Sequence, residues 1–408
     1  MAAPFFLFPS MKFIWVYLFI PIIWIWRWLN KKNLLERTII DWAILFLTIQ
    51  VFATCIIVHD IEYSLPKISG YVFGITFFYS ALPLMKSEKL IKFGLYIYLA
   101  SGFILSIIGI LGMNIISYHK KSFDTLYRLI NLIPKIDFNL PGAENGFHPN
   151  AIGGTLILII PLYVLLLFFS SRRKSINSIQ LRFQTSIFLC IGFSLTFFSL
   201  LLTQSRSSWI GFVFSLCFFL FLSKKGIKWG VIIVLIFLLA YGILLNSNKM
   251  DLIKKEMESK IDLRIETWNL AVSKIKEHPF FGIGMNKLRQ EPLLYYTRAH
   301  AHNHFIHTAS ELGIPGLIAY LAILIGTGLM CYQTWLKSKI RWMKISALGL
   351  GCGQLAHFIF GFADSIPLGA KVSIFFWISL VLITAMYNYT IKLELGEKKF
   401  EVINGVVE

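Results

Sequence analysis

The chain has 408 residues, of which 56% are hydrophobic, 16% aromatic and only 15% charged, and its mean hydropathy is +0.68. No soluble domain needs that balance for its core, so soluble and secreted classes are excluded and the chain is expected in lipid. A net charge of +18 would suggest nucleic acid in a soluble protein; here its placement between apolar runs decides its meaning.

Several runs, among them Trp42 to Val58, Leu90 to Ile116, Ile152 to Phe169, Val231 to Leu245 and Leu317 to Trp335 with their flanks, reach the length that a bilayer crossing requires. In chain order the expected spans are 11 to 28, 40 to 58, 68 to 85, 90 to 116, 150 to 170, 184 to 203, 207 to 223, 228 to 246, 314 to 335, 344 to 362 and 370 to 391. The expected fold is therefore all-α and polytopic, with about eleven spans (10 to 12). The first run, Phe13 to Trp28, ends in Arg27, Trp28, Lys31 and Lys32 instead of a small-residue cleavage site, and reads as a retained helix. Cys55, Cys190, Cys217, Cys331 and Cys352 all lie inside apolar runs at spacings that match no metal or redox motif, and read as packing residues.

Strict alternation gathers Lys and Arg on one side, in the short connections near 30, 88, 175, 225 and 340 and in the C-terminal tail. The N-terminal tail and the short connections near 62, 206 and 366 carry only Lys12, Lys67, Arg206 and Lys371. The positive-inside rule makes the basic side cytoplasmic. Two long loops, 117–150 and 247–313, then fall on the outer side of a single transmembrane domain that spans 1–408; their own basic residues do not contradict this, since long loops translocate largely regardless of charge. The larger loop contains an amphipathic helix from Leu263 to Lys276, expected to gather Ile265, Trp268, Ala271, Val272 and Ile275 on one face. His278-Pro279 should stop it, and Gly282-Ile283-Gly284 reads as a flexible link beyond.

Three outer constellations carry potential chemistry. Thr203-Gln204-Ser205-Arg206-Ser207-Ser208-Trp209 is a polar break between two apolar helices. A guanidinium held there needs an anionic partner or a snorkelling path to water. Asp262-Leu263-Arg264-Ile265-Glu266-Thr267-Trp268 opens the loop helix, where Arg264 can meet a phosphate or pair with Asp262 or Glu266. The third runs from Ala299 to Gly316 and places His300, His302, His304 and His307 together. A histidine there could deprotonate a hydroxyl near neutral pH, several could converge on zinc, or all could be hydrophilic interfacial residues leading into a helix. Glu311 follows His302 by nine residues, about 13 Å along a helix, so the two are not expected to pair.

His302-Asn303, Phe305-Ile306, Glu311-Leu312-Gly313 and Gly316 resemble the signature that opens a late helix in the O-antigen ligase and polymerase family. The Arg206 turn resembles that family's short outer loop, and Arg264, Trp268 and Ala271 with Pro279-Phe280-Phe281-Gly282-Ile283-Gly284 resemble its large periplasmic loop. The likeness runs from about residue 140 to 390, and the first 140 residues share only the hydropathy.

The resemblance implies a membrane-embedded glycosyltransferase of the GT-C kind in the bacterial inner membrane. It would move a glycan from undecaprenyl pyrophosphate, on the periplasmic face, to an acceptor, without metal or cofactor. It makes His302 the catalytic residue and Arg206 and Arg264 the pyrophosphate-binding pair, with His148, Asn150, Asn303 and Asp364 as further candidates at the site; capping by Asn150 is an equal alternative. The acceptor is lipid A-core in a ligase and a second lipid-linked glycan in a polymerase. A good leaving group suits two cations and one base in a single, inverting displacement. No carboxylate pair of the glycosidase type is evident. A secondary transporter is the reading from another class; repeat symmetry and broken mid-membrane helices, which would favour it, are not evident in the sequence.

Overall fold

A computed structural model describes residues 11–30, 35–57, 61–113, 124–136, 146–170, 179–221, 250–292 and 300–403, with isolated positions between 228 and 235. Most of the expected span 228 to 246 and much of the loop 117–150 lie outside the described residues. Among the described residues all regular structure is helical, apart from one isolated bridge between Met113 and Phe147.

The helices are α1 (Ile22–Leu29), α2 (Asp41–Ile57), α3 (Ile61–Ala81), α4 (Glu88–Gly112), α5 (Asp124–Leu132), α6 (Pro149–Leu156), α7 (Ile160–Ser170), α8 (Ile179–Leu202), α9 (Arg206–Phe221), α10 (Met250–Glu277), α11 (His304–Lys337), α12 (Arg341–Phe360) and α13 (Ile374–Ile403). Among the described residues four segments are long and apolar enough to cross a membrane: Glu88–Gly112, Pro149–Phe169, His304–Lys337 and Lys371–Gly396. Shorter apolar helices, Asp41–Ile57, Ser186–Leu202 and Arg206–Phe221, lie among them, as expected of a multi-pass membrane protein.

Several boundaries depart from the sequence reading for identifiable reasons. The first expected span divides at Pro21 into a 3-10 helix, Met11–Phe19, and α1, because proline cannot donate to the preceding turn. The span expected at 68 to 85 begins at Ile61 and carries Pro66 inside it, so Lys67 sits within α3, buried, and not in a surface connection. One expected straight span is interrupted, and the one expected at 314 to 335 is extended back to His304 across a kink. Residues 157–159 separate α6 from α7 just before Pro161, and α11 kinks where Gly313 adopts φ 74° and ψ 174° ahead of Pro315.

The loop helix begins at Met250, well before the amphipathic stretch, and ends at Glu277, where His278-Pro279 stops it. Its inner face also differs. Thr267 and Ala271 are buried and Trp268 is half-buried, while Ile265 and Val272 are exposed. Inward packing follows the row 264, 267/268, 271, which repeats at three and four residues and brings Arg264 inward with Trp268.

The bundle is organised by α12, which packs on α7, α9 and α11, and by α11, which also packs on α2, α10 and α13. Tyr98, Tyr163, Tyr320 and Trp377 are fully buried; Tyr163 Oη donates to Leu99 O at 2.7 Å and Trp377 Nε1 to Leu368 O at 3.2 Å. One end of the bundle gathers the start of α6, the α8–α9 turn, α10, the start of α11 and the turn after α12, and the motif residues meet there.

Candidate active site

The segment 300–303 enters α11 in a fixed path. Asn303 caps the helix, its Oδ1 accepting from the backbone N–H groups of Phe305 at 3.0 Å and Ile306 at 3.1 Å. His304 N–H donates to Gly361 O at 2.7 Å, and Asn303 Nδ2 to Phe362 O at 3.3 Å. From the other side Trp268, one turn beyond Arg264, donates its indole N–H to Ala301 O at 2.5 Å. His302 is thereby held at φ 44°, a left-handed conformation that costs a histidine about 1 kcal/mol or more and persists only where the surroundings impose it. Asn303 is thus spent on capping and on the turn at Phe362.

The ring of His302 meets Asp364, whose Oδ1 lies 3.3 Å from His302 Nδ1 and 2.8 Å from His300 Nε2. The same oxygen accepts Ser365 N–H at 2.8 Å, and Oδ2 accepts Asn150 Nδ2 at 2.5 Å. Asp364 is 2% exposed. Burial alone would raise its pKa, but the hydrogen bonds and charges of His300 and His302 outweigh that and hold the carboxyl well below the usual carboxylate range. The group is therefore an acceptor only, and the ring nitrogens facing it carry N–H. In neutral His302 this fixes the proton on Nδ1 and leaves the lone pair on Nε2, the atom turned away from Asp364. His300 is held below the ordinary histidine value, first by burial and further by His302 and Arg289, against the opposing pull of Asp364.

The capping alternative for Asn150 is overturned: His148 caps α6, its Nδ1 accepting Asn150 N–H at 3.2 Å, and the Asn150 side chain is free to reach Asp364. Proline at the first helical position, Pro149, leaves that arrangement without a competing donor.

Arg206 and Arg264 arrive from different directions. Thr203 Oγ1 accepts Ser205 N–H at 3.2 Å, Ser205 and Ser208 hydroxyls meet at 2.8 Å, and Trp209 Nε1 donates to Leu200 O at 3.0 Å, so the whole turn is internally bonded and puts Arg206 at the first position of α9. Both guanidiniums are half-buried. Burial lowers the pKa of Arg264, the carboxylate of Asp364 supports its charge and Arg206 opposes it, which places all three groups in one electrostatic neighbourhood. Two guanidiniums and one carboxylate leave the site positive, ready for an anion. Beside Arg206, Gln204 stands at φ 51°, buried, and among the described residues neither its amide nitrogen nor its oxygen has a hydrogen-bond partner. Unpaired buried amides cost about 1–3 kcal/mol.

His300, His302 and Asp364 also satisfy the first requirement of a metal centre, since one ligand atom from each lies within 4.8 Å of the others. Two features are not legible in the sequence. Glu311, not expected to pair with His302, pairs with Lys67, and Gly282-Ile283-Gly284 is not a flexible link but a docked segment, with Ile283 N–H on Ser310 O at 2.9 Å and Gly284 N–H on Glu311 O at 3.1 Å. Positive φ at Gly282, Gly284 and Gly313 accompanies that docking, and positive φ cannot be read from glycine alone.

Comparison with known proteins bears on this geometry. A protein of Haemophilus influenzae described as "Uncharacterized protein" is 25% identical over 174 residues, covering 36% of this chain and 44% of that relative. The chain thus spans less than half the length of the curated relative it matches. Residues 191–321, which run from α8 into α11 and contain Arg206, Arg264 and His302, match the family described as O-antigen ligase. Through that segment the chain is similar to the O-antigen ligase family.

Proposed function

We propose that this protein is a membrane glycosyltransferase that moves a glycan from undecaprenyl pyrophosphate to an acceptor hydroxyl, with His302 as general base. The observation that carries the reading is the Asp364–His302 contact at 3.3 Å with Arg264 in the field of the same carboxylate. Asp364 holds the imidazole with Nε2 unprotonated. That nitrogen takes the proton of the acceptor hydroxyl as its oxygen attacks the anomeric carbon. The bond from that carbon to the pyrophosphate oxygen breaks, the electron pair leaves with the pyrophosphate, and the configuration inverts. Arg206 and Arg264 stabilise the charge that develops on the leaving group. His148, Asn150 and Asn303 keep the segments around Asp364 and His302 in place.

In this reading the site faces the periplasm of a bacterial inner membrane, with the basic short connections cytoplasmic and the segments 117–150 and 247–313 outside, all parts of one transmembrane domain. The acceptor is lipid A-core for the ligase reading and a second lipid-linked glycan for the polymerase reading; both use the same base and the same arginines. A GT-C-like architecture is part of the proposal.

The His300–His302–Asp364 geometry favours one rival, a zinc-dependent transferase. The fixed charge favours the arginine reading over it: two guanidiniums near one carboxylate oppose a dication and supply the positive charge that a metal would bring. The test is transfer of lipid-linked glycan by purified protein, first alone, then with lipid A-core, with and without chelator. Chelator-resistant transfer supports the arginine mechanism and the acceptor requirement separates ligase from polymerase; loss of transfer in chelator, restored by zinc, favours the metal.

A further inference from the structure

Below the site lies a buried cluster that the mechanism does not use. Lys67 of α3 donates to Glu311 Oε2 at 2.5 Å and to His307 Nε2 at 2.9 Å, across 244 and 240 residues of chain. The side chains of Lys67, Glu311 and His307 are 9%, 4% and 3% exposed. A buried ion pair contributes little net stability, because desolvation offsets the attraction, and apolar replacement of both partners is often neutral. Ionisable groups inside a membrane bundle therefore call for another role.

The other oxygen of Glu311 shows what that role is. Oε1 accepts the backbone N–H of Asn286 at 2.9 Å, and Asn286 adopts φ 61°. Asn286 Nδ2 donates to Tyr63 O at 3.1 Å, and Ser64 Oγ to Met285 O at 2.7 Å. Ile314 N–H closes on Pro279 O at 2.8 Å, using groups that the kink at Gly313 released from the helix ladder. Segment 279–286 is thus clamped between α3 and the kinked part of α11. That segment is the direct continuation of α10, which carries Arg264. The helix is tied by Trp268 on Ala301 near the arginine and by this clamp just past its C-terminal end, roughly 14 Å further along its axis.

We propose that Lys67 and Glu311, with His307, form a positioning set that fixes the clamp and thereby holds the Arg264 helix in register with His302. Without it α10 pivots on Trp268, and Arg264 moves relative to Asp364, whose charge it feels. Misplacement by about 1 Å costs about a hundredfold in rate in well-positioned sites. The turnover consequence rests on the glycan-transfer reading; the geometric one does not.

The experiment uses the full-length protein with accessible Cys55 and Cys190 replaced, carrying spin labels at Asn269 on the exposed side of α10 and at Phe362 in the turn after α12. Single replacement of Lys67 strands a buried carboxylate, so the pair is changed together. Lys67→Met/Glu311→Met should melt near the parent temperature and broaden the inter-label distance, with transfer slowed about a hundredfold. Lys67→Met/Glu311→Gln keeps an oxygen for Asn286 N–H and should restore the narrow distance. Equal broadening in both variants, or none in either, overturns the positioning role. Broadening in the first alone supports it even if the parent transfers no glycan, an outcome that would sink the transferase reading instead.

Discussion

Asp364 Oδ1 and His302 Nδ1, 62 positions apart in sequence, meet at 3.3 Å, and this contact decides which nitrogen of the histidine can act as a base. Asp364→Asn preserves the shape but can present an N–H where the carboxylate only accepted, which removes the reason for the proton to sit on Nδ1. The comparable change in a Ser-His-Asp triad costs about 10⁴-fold. Here kcat should fall about 10²- to 10⁴-fold with donor binding retained, checked by steady-state transfer alongside equilibrium binding of lipid-linked glycan. A fall confined to donor affinity would remove Asp364 from the orienting role.

The arginine pair should resist conservative replacement. Lysine carries the charge as a single compact ammonium and does not reproduce a two-pronged contact with phosphate. Arg206→Lys and Arg264→Lys should each lower kcat/KM by about 10- to 100-fold, since hydrogen bonds to charged groups are worth about 1.5–3 kcal/mol. Parallel assays in chelator should give the same losses. Wild-type kinetics in both lysine variants would show that only net charge matters there.

His300 sets a pH dependence of stability whose sign follows from its lowered pKa. As pH falls below about 6.5, the unfolded chain takes up a proton before the folded one does. The neutral His300 therefore contributes fully above that value, and its contribution is lost as pH falls toward the folded-state pKa. Asp364, held low in the folded state, loses its own contribution only at a pH below the ordinary carboxylate range. Melting temperatures in detergent should decline from neutral pH into the acid range in the parent and decline less in His300→Gln. Identical slopes would contradict the burial of an uncharged imidazole at this position.

Two glycines hold the clamp and one elsewhere does not. Gly282 at φ 67° and Gly313 at φ 74° sit so close that a Cβ on Gly282 would meet the Glu311 backbone and one on Gly313 the Phe280 backbone. Strain of about 1–3 kcal/mol adds to that clash, so Gly282→Ala and Gly313→Ala should lower the melting temperature markedly. Gly328, inside α11, has nothing within 4 Å, and Gly328→Ala should be neutral or stabilising by up to about 1 kcal/mol. Thermal unfolding of the three variants checks the contrast.

The sequence reading captured what local pattern encodes. Apolar runs located α2, α4, α8, α9, α12 and α13 to within a few residues at most ends, and polar breaks marked the segments around Arg206, Arg264 and the histidines, whose roles rest on the family resemblance. Long-range pairing was not legible. Lys67 finds Glu311 across 244 residues, and nothing near Pro66-Lys67 distinguishes a surface connection from a helix interior. Capping was ambiguous for the same reason: either His148 or Asn150 can cap α6, and the choice depends on Asp364, which lies 214 residues from Asn150. The inner face of α10 was misjudged because Ile265 and Val272 look apolar, while the tie of Trp268 to Ala301 sets the helix rotation.

The measurement that bears most directly on the central claim is single-turnover glycan transfer by His302→Ala at matched expression, with donor binding followed on the same preparation. A general base contributes about 10²- to 10⁴-fold in rate and little to pyrophosphate affinity. The expected result is a folded, donor-loaded protein whose transfer falls by that factor or below detection. Transfer at the parent rate by His302→Ala would contradict the assignment of the base and the role of Asp364 built on it.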